Sequence, residues 1–126
     1  MGQTPFLEKA QEAIAAAQLL IEASCLQSAA NRAYYAVFHA ARAALIAAHL
    51  SSPERVWSHL LIQGGFSQLV HRQKIYPAHL LSDIAWLRTV RELADYQQDM
   101  VSSRMAREAV KRAAVFVKTV IQQVPQ

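Results

Sequence analysis

With 126 residues, 53% of them apolar, the chain suits one domain spanning 1–126, large enough to bury a core without disulfide staples. Its lone cysteine, Cys25, excludes a disulfide framework within the chain and suits a reducing compartment. A net charge of +4, from 13 basic and 9 acidic residues, admits a polyanionic partner but falls far short of a histone-like charge density.

Much of the apolar fraction is alanine, the strongest helix former and small enough to let helices approach closely. The expectation is all-α: a compact up-and-down bundle of about five helices. The first runs from about Thr4 to Glu22, with Thr4 as N-cap, Pro5 at the first helical position, and Leu7, Ala10, Ile14, Ala17 and Ile21 as its apolar stripe. The second starts after Ser24, which forms a capping-box pattern with Gln27, and continues to about Leu50. One of its faces is a small-residue seam of Ala30, Ala33, Tyr34, Val37, Ala41, Ala44, Leu45 and Ala48. The other carries Arg32, Tyr35, His39, Arg42 and His49, too polar to be buried without partners.

Ser51-Ser52-Pro53 opens a loop. A third helix is expected over about Val56–His71, weakened or bent at Gly64-Gly65. Pro77 opens a fourth over about 78–97, with Leu80, Ile84, Leu87 and Ala94 inward. Ser102 or Ser103 caps a fifth to about Val124, built on Met105, Ala109, Ala113, Phe116, Val120 and Val124. The N-terminal MGQTPFLEK lacks the pattern of a secretory signal, and every apolar stretch is interrupted well before the ~20 residues that span a bilayer. A cytoplasmic protein with no membrane segment is expected.

Residues 31–45, NRAYYAVFHAARAAL, make the second helix specific. His59 follows in the next segment, with Phe66 seven residues on, then Arg91-Glu92-Leu93-Ala94-Asp95-Tyr96, and a last helix with Ala109, Ala113, Phe116 and Val117. In this order, over about Phe6 to Val120, they resemble the bacterial and archaeal branch of the HEPN (higher eukaryotes and prokaryotes nucleotide-binding) superfamily. The resemblance implies a helical bundle, a homodimer and a minimal nucleotidyltransferase as antitoxin partner. It also implies RNA or a nucleotide as ligand and, in many members, metal-independent ribonuclease activity from an arginine followed by a histidine four to six residues later. No cofactor is implied.

The sequence departs from that motif. Counting from Arg91, the histidine positions hold Tyr96, Gln97 and Gln98; from Arg88 they hold Leu93, Ala94 and Asp95. Neither tyrosine nor glutamine is a ready general base at neutral pH. Arg91 and Asp95 share a helical face, as an intrahelical ion pair or as a guanidinium offered to phosphate. Arg32, Tyr35 and His39 either satisfy one another and Asp95 in a polar network, or meet the Arg91 face so that His39 or His59 supplies the missing titrating group. Tyr96 either anchors its helix end or accepts AMP from a partner.

The expected catalytic set is therefore Arg91, Asp95, Tyr96 and His39, with Arg32, Tyr35, His59 and Arg88 binding nucleotide or RNA. The five histidines are too scattered for a zinc site, so no metal is expected. Arg104, Arg107, Lys111, Arg112 and Lys118 of the last helix form a solvated face or track a phosphate backbone. Three functions stay open: a toxin-like or partner component of a HEPN–nucleotidyltransferase pair, an active ribonuclease toxin with a divergent site, or a non-catalytic interaction module. Within the bundle the second and fourth helices should cross near the centre, and in a dimer both Arg91 residues should share one basic cleft.

Overall fold

The computed structural model describes residues 2–125. Five helices follow one another: α1 (Thr4–Glu22), α2 (Leu26–Ala47), α3 (His59–His71), α4 (Ala78–Tyr96) and α5 (Ser103–Gln123). No strand occurs among the described residues, and the fold is an all-α bundle. Alanine sets its geometry: α2 buries Ala29, Ala30, Ala33, Ala36, Ala40, Ala41, Ala43 and Ala44, and so packs against all four other helices. Larger side chains fill the remaining space, with Phe66 stacked between Tyr76 at 5.0 Å and Phe116 at 5.1 Å.

The helix starts differ from the expected ones in instructive ways. Thr4 is the first helical residue of α1, and Gln3 takes the cap position without a side-chain bond. Ser24 does not cap α2, because it leaves α1 in a left-handed conformation at φ 60. There it closes the turn through its N–H to Ile21 O, while Cys25 N–H bonds Leu20 O. Cys25 becomes the α2 cap residue, and the amide of Gln27 is free to donate to Val101 O and accept from Val101 N, both at 2.9 Å. That pair holds the α4–α5 loop against the start of α2.

The third helix begins at His59 rather than Val56, where Ser58 Oγ accepts from Leu61 N at 3.2 Å. It runs without interruption through Gly64-Gly65. A Cβ on Gly65 would stand 2.7 Å from Leu45 Cδ2, so this glycine lets α3 approach α2. Pro77 precedes α4, and Ser102 caps α5 by accepting from Met105 N at 3.1 Å. No helix of the described residues is long and apolar enough to cross a membrane.

Candidate functional site

The centre of the site is Arg91, the one polar residue inside the core among those described, with 6% of its surface exposed. Helical periodicity puts it on the inner face of α4 beside Leu87, and the chain tolerates the charge by surrounding it with tyrosines. Its guanidinium carbon lies 5.2 Å from the Tyr34 ring, 5.6 Å from Tyr35 and 5.5 Å from Tyr96. Nη1 donates to Tyr35 Oη at 3.4 Å and stands 3.8 Å from Asp95 Oδ2, one turn along. Desolvation pulls the arginine towards neutrality, but the oxygens of Tyr96, Tyr35 and Tyr34 outweigh it and hold the proton more tightly. Arg91 Nε is buried without a partner.

Asp95 is shared: its Oδ2 accepts from Asn31 Nδ2 at 2.7 Å. Asn31 Oδ1 accepts from Arg32 Nε at 3.1 Å and Nη2 at 2.9 Å, and the Arg32 guanidinium lies 5.2 Å from the Tyr35 ring. A closed polar circuit thus runs Arg91–Asp95–Asn31–Arg32–Tyr35 between α2 and α4. The Arg32 and Arg91 side chains are joined across α2 and α4 through Asn31, Asp95 and Tyr35.

His59, at the start of α3, joins from a third helix. Its Nδ1 is hydrogen-bonded to Tyr34 Oη, and the two rings are 5.3 Å apart. Arg91 and His59 therefore contact the same tyrosine. Burial, then the charges of Arg88 and Arg91, hold the His59 pKa below its usual range, so it is neutral at pH 7. Burial pushes Tyr34 up to about 12 and keeps it protonated. When Nδ1–H donates to Tyr34, the Nε2 lone pair is left as a proton acceptor. Arg88 lies at the rim, with Nε donating to Glu92 Oε1 at 3.2 Å.

His39 lies elsewhere. It turns towards α1, into an open groove of about 290 Å³ lined by Lys9, Glu12, Ala13, Ala16 and Arg32. Burial, then the charges of Arg42, Lys9 and Arg32, lower its pKa to about 4, and its Nδ1 is buried without a partner. The fold thus brings Arg32, Tyr35, His59, Arg88, Asp95 and Tyr96 around Arg91 and leaves out His39. The cluster also includes Tyr34, Asn31 and Glu92, which sequence reasoning passed over. Asn31, four residues before Tyr35 on a polar face, was the one with a visible signal. Among the described residues, no three His, Cys, Asp or Glu side chains converge as metal ligands would.

Comparison with known proteins gives the arrangement a lineage. A family model described as HEPN domain matches residues 5–124. The chain is similar to "UPF0332 protein glr0978" of Gloeobacter violaceus, 32% identical over 79 residues, covering 58% of this chain and 63% of that protein. The match thus spans less than two thirds of that relative's length. It is also similar to "Putative toxin MJ0605" of Methanocaldococcus jannaschii, 26% identical over 116 residues, covering 88% of this chain and 80% of that protein. With the family match running almost end to end over a helical bundle of this form, the chain belongs to the HEPN domain family.

Proposed function

We propose that this chain is the toxin-like component of a HEPN–nucleotidyltransferase pair, a homodimer whose Arg91 cluster binds the phosphate of RNA or of a nucleotide. One observation carries the reading: Arg91 is a buried cation that is incompletely neutralised. Among the described residues its one carboxylate partner, Asp95, stands 3.8 Å away and is engaged by Asn31 at 2.7 Å, whereas a charge-assisted bond closes to roughly 2.7–2.9 Å. A phosphate oxygen would complete the set, since the guanidinium fork matches phosphate geometry. Tyr96, whose ring lies 5.5 Å from the Arg91 guanidinium, is the last residue of α4 and 71% exposed. The name of the archaeal relative supports the toxin role.

The test is equilibrium binding of 5′-AMP and of a short RNA. Arg91→Gln should weaken binding at least about tenfold, the order of one charge-assisted bond, with Arg91→Lys intermediate because it keeps the charge and loses the fork. Affinities equal to wild type in both variants would sink the proposal.

The shared contact of Arg91 and His59 with Tyr34 favours a second reading, metal-independent RNA cleavage. Neutral His59 would take the proton of a 2′-hydroxyl, and the 2′-oxygen would attack the adjacent phosphorus. The 5′-oxygen would leave as the P–O5′ bond breaks, taking its proton from solvent water and giving a 2′,3′-cyclic phosphate, while Arg91 balances the charge on phosphorus. His59→Gln should then abolish cleavage yet keep RNA binding. The acid limb of the wild-type rate profile should fall below the ordinary imidazole pKa of about 6.5, because protonation removes the base.

A further inference from the structure

The outward face of α5 is unlike any other surface of the bundle. Its solvent-facing positions Arg104, Arg107, Lys111, Val115, Lys118 and Gln122 hold four cations, and the one acid of the helix, Glu108, lies to the side and pairs with Arg112. At roughly 100° per residue the four cations fall within an arc of about 60°, and from Arg104 to Lys118 they run about 21 Å at 1.5 Å per residue. Among the described residues, the ion pairs of α5 all belong to Arg112, which sits to one side and engages Glu108 and Asp83. Glu22 of α1 lines a groove with Arg107 and Lys111 without pairing to either. Arg104 also stands in the first turn of α5, where the helix dipole disfavours a cation. Arg107 Nε donates to Ser103 Oγ at 3.1 Å, and among the described residues none of the four cations has an acidic partner.

We propose that this face of α5 is a docking strip for the phosphate backbone of a double-stranded stretch of RNA, an inference that rests on the RNA reading of the Arg91 site. Charge complementarity selects a polyanion, because a straight row of unpaired cations on a rigid helix fits a partner charged at regular intervals along its length. Duplex DNA carries on the order of one charge per 1.7 Å of axis with both strands counted. A comparable duplex therefore has about a dozen phosphates around its circumference over this length, more than enough for four contacts on one side. The row has no aromatic side chain, so it lacks the stacking surface that holds single strands. No α5 residue belongs to the Arg91 cluster, so the strip and the site can be altered separately.

The test follows the binding of the full chain to a blunt RNA duplex by fluorescence anisotropy across a salt series. Four phosphate contacts give a log–log salt slope of about −3 to −4, an affinity loss on the order of a hundredfold between about 50 and 200 mM salt. In R104Q/R107Q/K111Q/K118Q that dependence should largely vanish, and R104Q and K118Q alone should each remove about 0.9 of slope. R91Q removes at most one phosphate contact and should lower the slope by no more than about 0.9 while losing 5′-AMP binding, so a failure of the site and a failure of the strip are told apart. The equally exposed triple variant R55Q/R72Q/K74Q should also leave it unchanged. An unchanged slope in the fourfold variant would overturn the strip, including where that variant instead lost an acidic protein partner. So would an equal loss in the triple variant, which would make the attraction diffuse charge.

Discussion

His39 on α2 and Tyr96 on α4, expected together in one catalytic set, have separate fates. His39 is held neutral, with a pKa of about 4 against 6.5 unfolded, so the unfolded chain binds the extra proton between those values. Stability contributed by neutral His39 is therefore complete above about pH 6.5 and lost as pH falls towards 4, on the order of 1–2 kcal/mol after allowing for solvent screening. Urea unfolding at steps across that window should show the decline, and His39→Gln should flatten it. Tyr96 has the opposite character: 71% exposed at the end of α4, its hydroxyl is within reach of a transferase. Co-expression with a nucleotidyltransferase should add one AMP mass to the Tyr96 peptide, pyrophosphate leaving from ATP as the tyrosine–phosphate bond forms. An unmodified peptide would count against that route of control. The Arg91–Asp95 pairing was legible in the sequence because four-residue spacing is local. His39 shares the helical face of Arg32 and Tyr35 but sits about 6 Å further along α2 than Tyr35, where it lines the groove against α1 instead of meeting α4. His59 reaches Tyr34 through a loop whose path no local rule fixes.

At the level of helices, the adjacent glycines of α3 make the clearest contrast. Nothing lies within 4 Å of a Cβ on Gly64, whereas one on Gly65 meets Leu45 at 2.7 Å and 2.9 Å, and Leu45 is itself confined by the core. Gly64→Ala should stabilise by up to about 1 kcal/mol through helix propensity, while Gly65→Ala should cost about 1–2 kcal/mol through overpacking net of the same gain. Thermal unfolding should move in opposite directions for the two. A shared direction would show that α3 does not approach α2 as closely as described. Periodicity and the Pro and Ser punctuation located all five helices, because an alanine-rich stripe needs only local spacing to declare itself. The starts of α2 and α3 escaped the same reading. Ser24 and Gln27 have capping-box spacing, yet the turn needs Ser24 in a left-handed conformation and the amide of Gln27 finds a better partner in Val101.

Across the whole molecule, the chain just beyond Arg91 exposes Tyr96, 71% accessible at the end of α4, and Met100, 73% accessible in the following loop. Pairing two copies about a two-fold axis there would cover both and set the two Arg91 clusters side by side. Sedimentation velocity should give a species of twice the monomer mass, and Met100→Asp should shift it towards monomer while leaving the helical content intact. A monomer at high micromolar concentration would remove the shared-cleft arrangement.

The Gln27–Val101 pair has a consequence for ageing of the chain. Only a neutral amide can give to a carbonyl and take from an N–H at once, so slow hydrolysis of Gln27 to a glutamate would set a carboxylate oxygen against the Val101 carbonyl. The repelled loop would loosen at the very end of α4 that carries Asp95 and Tyr96. Chemical wear at a residue outside the Arg91 cluster would thus blunt it without touching any of its members.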